Sequence, residues 1–277
     1  MSNTSPEGAT NTREDARVSA NATPLMLCVD TASDLRSVAV VRGTRINAII
    51  RDAVAPSRSS VLLEEIDAAL RSAGASLQDI ELYAVANGPG SFTGLRAGLA
   101  TIKAFASIHA RPIAAVPTLH AVALSAGASI QTLAMIPAGR GEVFAQTVRV
   151  DEEGHIVELS KAAHVSPALL LRSAARQTGS LNFAGGGARA HAELIVRVAD
   201  EEGIRLIDEA STVTARCFDI ASVERVWMLT REVDDYAAEI ARLGLISYEA
   251  GQTVQAKDLA ASYVRPSDAE LNERCHR

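Results

Sequence analysis

At 277 residues with 48% hydrophobic side chains, the chain can bury a substantial core and is sized for one large domain or two lobes. A net charge of −6 and a pI near 5.6 exclude a protein that grips nucleic acid with its own surface, so another chain would have to supply the basic face. Cys28, Cys217 and Cys275 form neither a CxxC pair nor a zinc spacing, and no run of roughly 18 apolar residues offers a membrane span; a reducing, cytoplasmic setting is expected.

Residues 1–24 are rich in Ser, Thr, Asn and Ala, lack the apolar stretch of a signal peptide, and read as a disordered extension. Order is expected from Leu25. Leu25–Val29 is a buried-strand pattern that ends in the turn cluster Asp30-Thr31-Ala32-Ser33. Strands follow over Ser37–Val41 and, after Gly43-Thr44, over about Arg45–Ala53. A helix opens at Ser59 or Ser60, turns Val61, Leu62, Ile66, Ala69 and Leu70 inward, and stops at Gly74. The apolar run Leu82–Ala86 is a strand that breaks into Asn87-Gly88-Pro89-Gly90, and Ser91 or Thr93 caps a helix running to about His109. A strand near Pro112–Val116 completes the order βββαβαβ.

The second half repeats that order without repeating its letters. Gln131–Ile136, Glu142–Val150 and His155–Leu159 read as strands, and Ser166-Pro167 opens a helix with Leu169, Leu170, Leu171 and Ala175 inside. Leu181–Ala184 is a strand entering Gly185-Gly186-Gly187, followed by a helix from about Arg189 to Val198. Past Ser211 the periodicity weakens: Ala221–Leu229 is read as helical, Val233–Leu245 more firmly so, and Ser211–Thr230 fits an insertion.

The stretch around Gly88–Ile102 carries the densest chemistry. Strand, glycine loop and helix N-terminus collect backbone N–H groups that favour anions, but GxxxxGK[ST] is absent and no lysine precedes Lys103. Gly94 and Gly98 share a helix face, with Ala97, Ala100, Ala104 and Ala106 nearby. Each glycine costs about 1 kcal/mol against alanine, so another backbone must pack very close, inside the fold or across a subunit interface. Arg96, one turn above the loop, could meet a phosphate, a partner carboxylate, or only solvent.

Elsewhere the candidates are sparse. Asp30 could orient a magnesium-bound phosphate or could cap its own hairpin turn. Gly185–Gly187 could admit a nucleotide closely or simply make a tight strand-to-helix turn. His109 and His120 do not share a helix face, and His155, His164, His191 and His276 show no ligand spacing, so no metal site is expected. Ser91 is not a nucleophile elbow, because GxSxG would need glycine where Thr93 stands.

Gly88-Pro89-Gly90-Ser91-Phe92-Thr93-Gly94-Leu95-Arg96, continued by Ala97-Gly98-Leu99-Ala100, resembles the signature of the TsaB (YeaZ) family. Asp30-Thr31, Glu142-Val143 and Tyr263–Arg265 are supporting fragments. The resemblance implies a two-lobed α/β fold of the ASKHA type (actin, Hsp70, sugar kinases) built from duplicated RNase H-like lobes. On this reading residues 25–130 form the N-terminal lobe with the partner-binding helices, and residues 131–277 form the C-terminal lobe and tail. It also implies a non-catalytic subunit that activates a TsaD-like threonylcarbamoyltransferase at the adenosine beside the anticodon of ANN-reading tRNAs. A TsaE-like ATPase would be a further partner, tRNA would be met through the complex, and homodimerisation is expected when the partner is absent. Gly90, Ser91, Phe92, Thr93, Gly94, Leu95, Arg96, Gly98 and Ile102 would bind the partner, the glycines by admitting its helices. Asp30, Thr31, Gly88, Gly185, Gly186 and Gly187 would lie nearest a nucleotide, with no cofactor held by this chain alone and ATP or ADP with magnesium at the partner interface. The chain departs from the family at Pro137-Ala138-Gly139-Arg140-Gly141-Glu142-Val143-Phe144, where relatives often read Asp-Ala-Arg-x-x-Glu-Val-Tyr. Proline can neither bind a metal nor take a proton. That loss counts against the alternative of an active ASKHA phosphotransferase or ATPase, and the absence of metal-spaced histidines and of a catalytic triad counts against that of a glycoprotease-like hydrolase.

Overall fold

The computed structural model describes residues 23–51, 59–210 and 225–264. The first sheet contains β1 (Leu25–Asp30), β2 (Ser37–Arg42), β3 (Arg45–Arg51), β4 (Leu82–Gly88) and β5 (Ile113–Pro117). Their spatial order is β3-β2-β1-β4-β5, antiparallel through the first three and parallel through β1, β4 and β5. β1 is buried at all six positions, as a central strand covered on both faces must be, which explains its unbroken apolar run. Gly43 makes the β2–β3 turn at φ +60°, a conformation that glycine adopts without a Cβ clash.

The second sheet repeats the plan. β6 (Ser129–Gly139), β7 (Glu142–Val150), β8 (Ile156–Glu158), β9 (Ala163–Val165), β10 (Leu181–Ala184), β11 (Arg205–Asp208) and β12 (Val226–Leu229) are arranged β11-β12-β10-β6-β7-β8, with β9 also on β7. β6–β7–β8 run antiparallel and β6, β10, β12 and β11 parallel, so β6, β7, β10 and β12 match β1, β2, β4 and β5 in order and direction. This is the duplicated RNase H-like architecture expected from the sequence.

Three apolar clusters hold the molecule. Helices α1 (Ser59–Ala73) and α2 (Phe92–His109) cover the outer face of the first sheet. Helices α4 (Pro167–Ala174), α5 (Gly186–Ala190) and α6 (Ala192–Glu201) lie with the outer face of the second. Between the sheets, α3 (Thr118–Ser125) and α7 (Ala237–Glu249) complete a core shared by both, from Met26, Cys28 and Ala84 to Ile136, Val148 and Ile240. Cys28 lies wholly inside it, and burial pushes its thiol up to about 12, so it is an inert core residue.

Several expected elements differ. Val226–Leu229 is a strand, not part of a helix, because its residues alternate in burial and pair with both β10 and β11. β11 and α3 were not anticipated; α3 is apolar on nearly every side and shows no helical stripe. The helix expected from Arg189 to Val198 is two helices broken at His191, and the C-terminal helix begins at Ala237 rather than Val233. That helix belongs spatially to the first sheet, packing on β1, β4 and β5, with Gly244 set against Ala84. Residues 1–22 and 211–224, and with them most of the expected extension and insertion, lie outside the described residues, as do Arg265 and Pro266.

Arg189 pins the strand ends of the second sheet: its guanidinium reaches Asp208 Oδ1 at 2.7 Å, the carbonyl of Leu229 at 3.2 Å and that of Thr230. Arg189→Ala removes the guanidinium from Asp208 and from two carbonyls, leaving Asp208 with the Ala210 N–H and the Leu229 carbonyl with the Glu209 N–H, and should cost about 2 kcal/mol, read as a lower urea midpoint at unchanged m-value.

Candidate functional site

The glycine loop after β4 sits at the mouth of a cleft between the lobes. Gly88 adopts φ +114°, precedes a cis peptide bond to Pro89, and donates from its N–H to Thr118 Oγ1 at 3.2 Å. Ser91 N–H donates to the Ala32 carbonyl at 2.8 Å, and Ser91 Oγ accepts from Gly94 N–H at 3.2 Å, so Ser91 is the cap of α2. The segment after α7 closes the other side. Val254 exchanges backbone hydrogen bonds with Ile113, Leu259 is buried in the outer core, and Ser262 N–H donates to the Asn87 carbonyl at 2.7 Å. Tyr263 then lies against Phe92, ring centroids 5.7 Å apart, and the Arg96 guanidinium stands 5.3 Å over the other partner of that pair, Phe92.

The two helix glycines do not do what the family resemblance led us to expect. A Cβ on Gly94 would lie 1.8 Å from the Thr31 carbonyl oxygen, and one on Gly98 would lie 2.3 Å from Thr31 Oγ1. Thr31 Oγ1 also donates to the Gly94 carbonyl at 2.8 Å. The close approach is therefore between α2 and the β1–β2 turn of the same lobe. Gly90 likewise faces Ala32, and Leu95 and Ile102 are buried in the core. Of the nine residues assigned to partner contact, Ser91, Phe92, Thr93 and Arg96 are the ones that face outward. The outward face of α2 continues through Ala97, Ala100 and Ala104, and Leu63 of α1 is exposed as well.

None of the six residues assigned to a nucleotide is in the cleft wall. Asp30 is buried and caps its own turn, accepting from Ala32 N–H at 2.9 Å, Ser33 N–H at 3.1 Å and Ser33 Oγ–H at 2.5 Å. Burial raises its carboxyl, even though the Ser33 and Ala32 hydrogen bonds favour the anion. Thr31 is behind α2, and Gly88 lies under the Ser262 carbonyl. Gly185 and Gly187 pack on the backbone of Met135 and Ile136, and Gly186 lies under the side chain of Asp34. Asp34 and Phe144, which do line the cleft, were not singled out from the sequence as binding residues; the one available signal was that Phe144 departs from the family tyrosine.

Three histidines, His120, His155 and His164, pair with nearby carboxylates. His120 Nε2 lies 3.1 Å from Glu158 across the lobes, and His164 meets Glu142 at 2.9 Å. Among the described residues, three ligand-type side chains gather within 4.8 Å of one another only at Asp151, Glu153 and His155, on an exposed turn where Asp151 already holds the His155 N–H and Nδ1. No helix among the described residues is long and apolar enough to cross a membrane.

A family model described as tRNA N6-adenosine threonylcarbamoyltransferase (TsaD) matches residues 49–229. The chain belongs to this family. It is 33% identical over 132 residues to the tRNA threonylcarbamoyladenosine biosynthesis protein TsaB of Escherichia coli K12, a match covering 47% of this chain and 57% of that one. It is 39% identical over 77 residues to a tRNA N6-adenosine threonylcarbamoyltransferase of Bradyrhizobium, covering 28% of this chain and 22% of the relative. The chain thus spans a little over half the length of the TsaB relative and less of the transferase. YeaZ from Pseudomonas aeruginosa superposes with a TM-score of 0.62 at 20% identity, covering 87% of this chain and 99% of that one. The shared fold is the two-lobed α/β arrangement described above.

Proposed function

We propose that this member of the TsaD family is a TsaB-like, non-catalytic subunit that binds and activates a TsaD-like threonylcarbamoyltransferase. The observation that carries the proposal is the outward face of α2. Ala97, Ala100 and Ala104 present a shallow surface onto which a second helix can settle closely, flanked by Arg96 and by exposed Leu63 and Ile108 at 51% and 74%. α1 and α2 would pack against the corresponding helices of a structurally related partner, and two copies of this chain could meet through the same face. A TsaE-like ATPase would act on the assembled complex, and with a charge of −6 this chain would leave most of the tRNA contact to its partners.

The cleft is a poor fit for a magnesium nucleotide in this chain alone. Both oxygens of Asp30 are taken up by its own turn, Pro137 stands in the second hairpin, and the Asp34 carboxylate covers the Gly186 backbone that a phosphate would approach. On this proposal ATP or ADP would bind at the partner interface, and the phosphotransferase reading loses support. Titration of a TsaD-like protein from the same organism against the wild-type chain should give a one-to-one complex. Adding this chain should switch on threonylcarbamoyl transfer to an ANN-reading tRNA. A partner that is fully active without it would refute the activator role.

A further inference from the structure

The inter-lobe cleft has a volume of about 670 Å³ and is walled largely by apolar atoms, among them the rings of Phe92, Phe144 and Tyr263. Among the described residues of its wall, Asp34 and Arg96 are the two that carry charge. Arg96 stands on α2 with its guanidinium over Phe92, whereas Asp34 lies across the cleft, resting on the second-lobe turn. Its carboxylate fits because position 186 is glycine: a Cβ there would be 2.3 Å from Asp34 Oδ2. The side chain is open to the cleft and, among the described residues, meets no cation. Its charged neighbours are acidic, Glu232 and Asp30, and burial followed by Glu232 raises its carboxyl from the ordinary range.

An accessible carboxylate with no counter-charge among the described residues, in a cleft lined by aromatic rings, is the arrangement that receives a positive group. We propose that this cleft binds a small organic cation, a guanidinium or alkylammonium group, seated among Phe92, Phe144 and Tyr263 with its charge on Asp34. Arg96 repels a second positive charge, so the cleft favours a monocation with a neutral or anionic tail over a polyamine. The ligand is thus opposite in sign to the nucleotide phosphates that the family resemblance suggested, and the inference does not depend on the activator role.

The test is isothermal titration of the full chain with N-acetyl-L-arginine methylamide, with MgADP as the probe of opposite sign. Binding of the arginine derivative at millimolar strength is expected, with Asp34→Asn weakening it at least about tenfold and Phe144→Leu weakening it several-fold. Asp34 is exposed and asparagine is nearly isosteric, so an unchanged melting temperature should accompany the loss. A pentapeptide Gly-Gly-Arg-Gly-Gly that binds more weakly than the free derivative supports a small-molecule ligand, and tighter peptide binding overturns that part in favour of a polypeptide side chain. No heat with either probe, equal binding by Asp34→Asn, or MgADP competing for the site would overturn the proposal.

Discussion

Replacing Gly94 by alanine is expected to lower the midpoint of thermal unfolding by about 10 °C. The added methyl would lie 1.8 Å from a backbone carbonyl oxygen, that of Thr31, which cannot rotate aside as a side chain could. Either α2 or the β1–β2 turn must move, and the turn is held by the hydrogen bonds of Asp30 and by Ser91 N–H on Ala32. A cost of about 3 kcal/mol is the upper part of the range for overpacking, and in a chain of this size roughly 2–4 °C accompanies each kcal/mol. Gly98→Ala provides the contrast. Its clash is with Thr31 Oγ1 at 2.3 Å, and the next contact, Thr31 Cβ, is at 3.5 Å. Removing the hydroxyl with Thr31→Ala should therefore rescue Gly98→Ala in part and leave Gly94→Ala unrescued, a double-mutant cycle read by calorimetry. If Gly94→Ala melts like wild type, the close packing of α2 on the turn is not what holds this lobe.

The second large effect is expected on association at unchanged stability. Ala100 is exposed on α2, one helical turn from Ala97 and Ala104, so Ala100→Arg disturbs no described buried contact. Arginine is nearly as good a helix former as alanine, and the variant should fold and melt as wild type does. At the proposed helix–helix seam, however, a long charged side chain would stand where two backbones approach. The complex with the TsaD-like partner should weaken by a factor of about 100 or more in sedimentation velocity, the scale of a disrupted interface centre. Together the two variants would separate the faces of one helix, with position 94 expected to govern folding and position 100 assembly. Full partner binding by Ala100→Arg would move the interface off α2.

Much of the fold was legible in the letters because strands buried on both faces have little freedom of composition. β1 and β4 read as uninterrupted apolar runs, and the repeated βββαβα order could be recognised without any repeated residues. β11 and β12 were not legible. Each is four residues long, and neither is separated from a helix turn by periodicity, so only their parallel partners decide their state. The need for close packing at Gly94 and Gly98 could be read from the cost of glycine in a helix, but the neighbour could not. Thr31 lies 63 residues from Gly94 in sequence, and no local pattern links them. The cleft shares that origin. Asp34, Phe144 and Tyr263 come from three distant segments, and the property that groups them, an acid facing aromatic rings, exists only after the lobes have closed.

The return of the C-terminal segment to the first sheet also constrains the protein's birth on the ribosome. β5 ends at Pro117 and α7 begins at Ala237, so well over a hundred residues are synthesised between the first sheet and the helix that covers it. At typical elongation rates that interval lasts on the order of 10 s, during which the inner face of β1, β4 and β5 lacks the part of its cover that α7 supplies. The outer face waits longer still, for Leu259 and for the tether of Ser262 to Asn87. Nascent chains stopped before α7 should accordingly remain protease-sensitive and retain chaperones, becoming resistant only when residues 237–262 have cleared the exit tunnel.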